Sequence, residues 1–145
     1  MINDYLTKDH RHCDELFAQA EALACEGNHQ VAEQKFNHFS HAMEQHFHFE
    51  ENRLFPKIEQ VSGNPNGPTN VMRMEHEQIR TQMQGMALLL QSGECEGFLD
   101  HCDSLLILMQ QHNLKEESIL YPMADQLLRS EAEQLINEVK GSNEH

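Results

Sequence analysis

The chain has 145 residues, 39% of them apolar, and its 24 Asp and Glu against 10 Lys and Arg give a formal charge of -14. That length buries a core without disulfides, so one domain spanning 1–145 is expected, with its main body over 4–128. The acidic balance and the absence of a Lys/Arg cluster exclude nucleic acid and an anionic membrane surface as partners, and no apolar run nears a membrane span of roughly 20 residues.

Met1 is followed by Asn3, Asp4, Thr7, Lys8 and Asp9, which is no leader pattern, and the expected compartment is the cytoplasm. Cys13, Cys25, Cys95 and Cys102 have no C-x-x-C spacing and read as reduced structural thiols.

Apolar residues recur at steps of three and four, which predicts helices over 4–25, 30–61, 69–91 and 95–128. The first has an inward stripe of Leu6, His10, Cys13 and Phe17, and ends at Gly27-Asn28. The second runs Phe36, Phe39, Met43, His46, Glu50 and Leu54, with Pro56 placed late, where a missing N–H and a ring clash kink or end a helix. After a loop from Ser62 to Pro68, the third carries Met72, His76, Ile79, Met83 and Met86 and stops at Ser92-Gly93. The fourth stripe is Phe98, Cys102, Leu105, Met109, His112, Glu116, Ile119 and Met123, with Pro122 repeating the role of Pro56. Ser130 and Glu133 form a capping box for a short helix over about 130–140, stopped by Gly141, that packs outside the bundle. The fold class is all-α: an antiparallel up-down-up-down four-helix bundle with a short extra C-terminal helix.

An offset of 66 residues aligns His10 with His76, His46 with His112, Glu50-Glu51 with Glu116-Glu117, Leu54-Phe55-Pro56 with Leu120-Tyr121-Pro122, and Asp9 with Glu75. Each half is thus one helical hairpin, and a pseudo-two-fold relates the halves.

Every core stripe therefore contains a histidine, and two carry a glutamate one turn beyond it. Burying four imidazoles and two carboxylates in one layer is costly without partners. The i, i+4 spacing of His46 with Glu50 and of His112 with Glu116 sets both side chains on one helix face, so that a metal cluster can serve as the partner. Four nitrogens and two carboxylates suit iron, or manganese, better than a closed thiolate-rich zinc site. The expected ligands are His10, His46, Glu50, His76, His112 and Glu116, around two Fe ions. Both glutamates are natural bridges, with an oxo or hydroxo as a third.

The motifs Asp9-His10, His46-Phe-His-Phe-Glu50-Glu51 with Leu54-Phe55-Pro56, Glu75-His76-Glu-Gln-Ile-Arg80, and His112-Asn-Leu-Lys-Glu116-Glu117 with Leu120-Tyr121-Pro122 resemble those of the bacterial hemerythrin family, the HHE cation-binding domains. The resemblance covers roughly residues 4 to 125. It implies a non-haem di-iron bundle that binds or senses dioxygen or nitric oxide, or handles iron. The alternatives it implies are a redox enzyme of ferroxidase, peroxidase or nitric oxide reductase type, and an iron donor for iron–sulfur cluster repair. The family's oxygen carriers have a fifth histidine, two of the five standing one turn apart on helix 3. Here Met72 and Arg80 stand one turn either side of His76, which ranks oxygen carriage below sensing, detoxification or iron handling.

Asp14 is a candidate acceptor for the His10 ring N–H or an extra ligand, and Glu51 and Glu117 either orient the inner ligands or face water. His12, His29, His38, His41, His48 and His101 lie off the stripes and read as surface residues, and Tyr121, aligned with Phe55, reads as packing. Met72 and Met83 could line a passage for a small apolar gas.

Overall fold

A computed structural model describes residues 1–143, with side chains through residue 141. Seven α-helices follow in order: α1 (Ile2–Cys25), α2 (His29–Phe49), α3 (Phe55–Ser62), α4 (Pro68–Gln91), α5 (Cys95–Lys115), α6 (Tyr121–Leu127) and α7 (Ala132–Asn143). α2 passes into α3 through a π-helical turn, Glu50–Leu54, and α5 into α6 through another, Glu116–Leu120. The predicted helices over 30–61 and 95–128 are thus each an α–π–α rod, and the described residues contain no strand.

Around the bundle, α1 packs on α2, α2 on α4, α4 on α5 and α5 back on α1, an antiparallel square. Its two hairpin turns are alike. Gly27 (φ 75) and Gly93 (φ 73) take the left-handed conformation that side chains disfavour. The following N–H then reaches back five residues, Asn28 to the Leu23 carbonyl and Glu94 to the Leu89 carbonyl, which closes each helix with a Schellman cap.

Apolar side chains form two separate clusters. One joins Phe17, Phe36, Phe39, Met43, Phe98, Leu105 and Met109 at the hairpin-turn end. The other joins Ile2, Leu6, Leu54, Phe55, Met72, Leu120 and Tyr121, and is roofed by Ala132, Leu135 and Val139 of α7. The predicted polar layer falls between these two plugs.

The prolines do not end their helices, because each follows a π turn. The Phe55 N–H bonds the Glu50 carbonyl and the Tyr121 N–H bonds the Glu116 carbonyl, each five residues back. Pro56 and Pro122 come next, where the wider register demands no i→i−4 partner. The Glu51 carbonyl, which the same register would point at the donorless Pro56, accepts instead from Arg73 Nη1 at 3.0 Å. The extra residue also corrects the predicted stripe. After Glu116 the inward position is Leu120, 1% exposed, while Ile119 is 56% exposed.

α7 departs from expectation at both ends. Its first backbone bond runs from the Leu135 N–H to the Glu131 carbonyl, so Ser130 lies in the preceding turn and does not cap. Gly141 is not among the left-handed glycines, and the helix runs on to Asn143. Arg53 donates to both Glu138 oxygens, at 2.9 and 2.7 Å, which pins α7 to the π turn after α2.

Candidate metal centre

His10 on α1, His46 on α2, His76 on α4 and His112 on α5 meet Glu50 and Glu116 in one layer, and none of the six is more than 4% exposed. Their donor atoms form two groups able to hold an ion. One is Glu50, His76, His112 and Glu116; the other is His10, His46 and Glu116, and Glu116 belongs to both. Glu50 also spans the pair, with Oε1 3.1 Å from His76 Nε2 and Oε2 3.3 Å from His46 Nε2. Glu116 Oε1 lies 3.0 Å from His10 Nε2 and 3.3 Å from His112 Nε2.

Each histidine turns its other nitrogen to a carboxylate on a different helical rod. His10 Nδ1 meets Glu117 at 2.7 Å and His76 Nδ1 meets Glu51 at 2.6 Å. His46 Nδ1 meets Asp9 at 2.7 Å and His112 Nδ1 meets Glu75 at 2.8 Å. An acceptor there holds the proton on Nδ1 and leaves the Nε2 lone pair facing the centre, the tautomer a metal requires. Three of these outer carboxylates are themselves held by cations: Glu117 by Arg11, Glu51 by Arg80 and Glu75 by Lys115. Glu51 and Glu117 therefore orient the His76 and His10 rings rather than simply face water. The Asp9–Glu75 match in the repeat was the one sequence sign of the other two.

Tyr121 is misread as packing by the sequence. Its ring is fully buried. Its hydroxyl donates to Glu50 Oε2 at 2.6 Å and stands 2.9 Å from Glu116 Oε1, 3.1 Å from His10 Nε2 and 3.0 Å from His46 Nε2. The extra residue of the π turn brings it there, and helical periodicity carries no signal for that.

Electrostatically the layer is short of positive charge. Burial would strip the proton from His76, but Glu116, Glu50 and Glu51 prevail and push its pKa up to about 10. His10 and His46 are raised in the same way against the same burial cost. Glu116 is driven well below the usual carboxylate range, because His112, His10 and His76 outweigh its desolvation. Burial, then the charges of Glu116 and Glu50, hold the Tyr121 phenol well above its ordinary range. Protons are thus drawn to positions that cations would fill.

The donor set fits metal ions. Glu50 Oε1, Glu116 Oε2, His76 Nε2 and His112 Nε2 are fully buried without a hydrogen-bond partner, even where 3.1 Å separates His76 from Glu50. Orphaned buried polar atoms are rare, and a shared cation satisfies all four.

Residues kept off the ligand set fall as expected: His12, His29, His38, His41, His48 and His101 are exposed. Asp14 does not serve His10, whose Nδ1 is taken by Glu117; it lies 3.7 Å from Arg11 instead. All four cysteines are free thiols. No helix among the described residues is long and apolar enough to cross a membrane.

Searches of characterised proteins and of solved structures return no match to the chain. Comparison with protein families matches residues 1–124 to the hemerythrin HHE cation binding domain. With a helical bundle, a buried His/Glu cluster and a match over most of its length, the chain belongs to the hemerythrin HHE cation-binding family.

Proposed function

We propose that His10, His46, Glu50, His76, His112 and Glu116 hold two iron ions, and that the protein uses this centre to bind or sense dioxygen or nitric oxide. The observation that carries the reading is the pair of donor groups sharing Glu116, with Glu50 reaching from His76 Nε2 to His46 Nε2. Mixed nitrogen and carboxylate donors suit iron, which on binding supplies a redox-active Lewis acid for small diatomic ligands.

The surroundings favour a small apolar visitor. The layer is closed above and below by the two apolar clusters. An apolar pocket of about 210 Å³, lined by Pro68, Val71, Met72, Lys115, Ile119 and Leu120, opens over the second π turn, beside residues one turn from His76 and Glu116. A wider groove of about 780 Å³ runs along α2 and includes none of the six residues.

Iron content and absorption spectra of the protein isolated with and without air test the reading. The expected outcome is two irons per chain, the near-ultraviolet charge-transfer band of a bridged iron(III) pair in air, and a spectral change on adding nitric oxide to the reduced protein. Protein from iron-replete cells with no iron, and with melting unaffected by a chelator, would overturn it. Iron that passes instead to an apo acceptor would move the function toward iron donation, and sustained turnover with an electron donor would make the protein an enzyme.

The outer carboxylates give a graded check. Glu51→Gln removes the charge that holds the His76 Nδ1–H at 2.6 Å, and metal affinity is expected to fall about 10–100-fold in a chelator competition. His48→Ala, on an exposed residue, is expected to leave affinity unchanged.

A further inference from the structure

The two metal positions are not equivalent, and one tyrosine makes the difference. Under the 66-residue offset, Tyr121 corresponds to Phe55. Phe55 has no donor atom and stacks its ring on His76, with centroids 5.7 Å apart. Tyr121 stacks on His10 in the matching way, with centroids 5.5 Å apart, and in addition brings an oxygen against the His10 and His46 nitrogens.

Adjacent donors on one metal, with bonds of about 2.1 Å at right angles, stand about 3 Å apart. Tyr121 Oη is 3.1 Å from His10 Nε2, 3.0 Å from His46 Nε2 and 2.9 Å from Glu116 Oε1, and His10 Nε2 is itself 3.0 Å from Glu116 Oε1. These separations match the edges of one coordination polyhedron. Without the phenol, His10, His46 and Glu116 would be joined on this side only by Glu50, which the other group shares.

Resting on the di-iron reading, we propose that Tyr121 is a further ligand, its hydroxyl oxygen binding the ion held by His10, His46 and Glu116. Glu50 Oε2, 2.6 Å from the phenol oxygen, adds a fifth donor on that side. The ion at His76 and His112 keeps four protein donors, and so is the one left open to an incoming ligand. Binding to iron(III) exchanges the phenol O–H bond for an O–Fe bond, releases one proton to solvent and changes no oxidation state.

The test is resonance Raman and visible absorption of the iron(III)-loaded chain, with metal content measured on the same samples. Only Tyr5 and Tyr121 can supply a phenolate. The expected result is a visible phenolate-to-iron band with ring modes that shift when tyrosine is ring-deuterated. The band persists in Tyr5→Phe and is lost in Tyr121→Phe, which retains iron. Wild-type protein that holds two irons but lacks tyrosine ring modes overturns the proposal and leaves the di-iron reading standing. Protein that holds no iron overturns both, and that outcome is read from metal content rather than from the band. If Tyr121→Phe does not fold, ring deuteration of wild type and of Tyr5→Phe decides alone.

Discussion

Replacing Glu116 by alanine is expected to lower the metal content from two ions per chain to fewer than one. Glu116 is the residue common to both donor groups. Its Oε1 stands within 3.3 Å of His10 Nε2, His112 Nε2 and the Tyr121 hydroxyl, while Oε2 lies 3.7 Å from His76 Nε2. On the proposed di-iron reading, its removal takes a ligand from each ion together with a charge that offsets two cations, whereas loss of an outer carboxylate loosens one histidine. A ligand present at a thousand times its Kd stabilises the folded state by about 4 kcal/mol. The metal-loaded wild type should therefore melt well above its chelated form, while Glu116→Ala melts at one temperature with or without chelator. Elemental analysis and paired melting curves check this; a variant that retains two ions would show that Glu116 is not the shared ligand.

The largest loss of stability away from the metal is expected at Phe39. Its ring is fully buried and lies 5.2 Å from Phe17 and 5.4 Å from Phe36, centroid to centroid. Close packing leaves no means of closing the gap that alanine would open, so Phe39→Ala should cost about 3–5 kcal/mol. For a domain of this length that is roughly 10–15 °C in Tm. Metal content should be unchanged, because Phe39 lies two turns before His46 on α2 and packs its ring on Phe17 and Phe36. A variant that melts like wild type, or one that folds but loses metal, would contradict this division of labour. The two substitutions thus separate the layer that holds the metal from the plug that holds the bundle.

The orienting carboxylates were only partly legible beforehand. Glu51 and Glu117 follow the inner glutamates in sequence, and nothing in that adjacency says that Glu117 serves His10, 107 positions away, while Glu51 serves His76 on α4. Asp9 and Glu75 stand out only through the repeat. Each partnership crosses between rods, and its identity depends on how far one helix is slid and turned against the next. Core packing sets that register. The same limit explains Ile119 and Tyr121: a π turn adds one residue to a rod, and a fixed helical period counted through it gives the wrong face from that point on.

By itself the sequence determined the helical segments, the pseudo-two-fold and the six inward His and Glu positions, because these follow from spacing along single helices, where three- and four-residue steps share a face. Only the tertiary structure decided which carboxylate holds which histidine, that the prolines follow π turns instead of ending helices, and that Tyr121 stands at the centre while Phe55 packs. Those are matters of distance between different rods. The sequence orders residues along each rod, but the packed core brings them within 3 Å of one another.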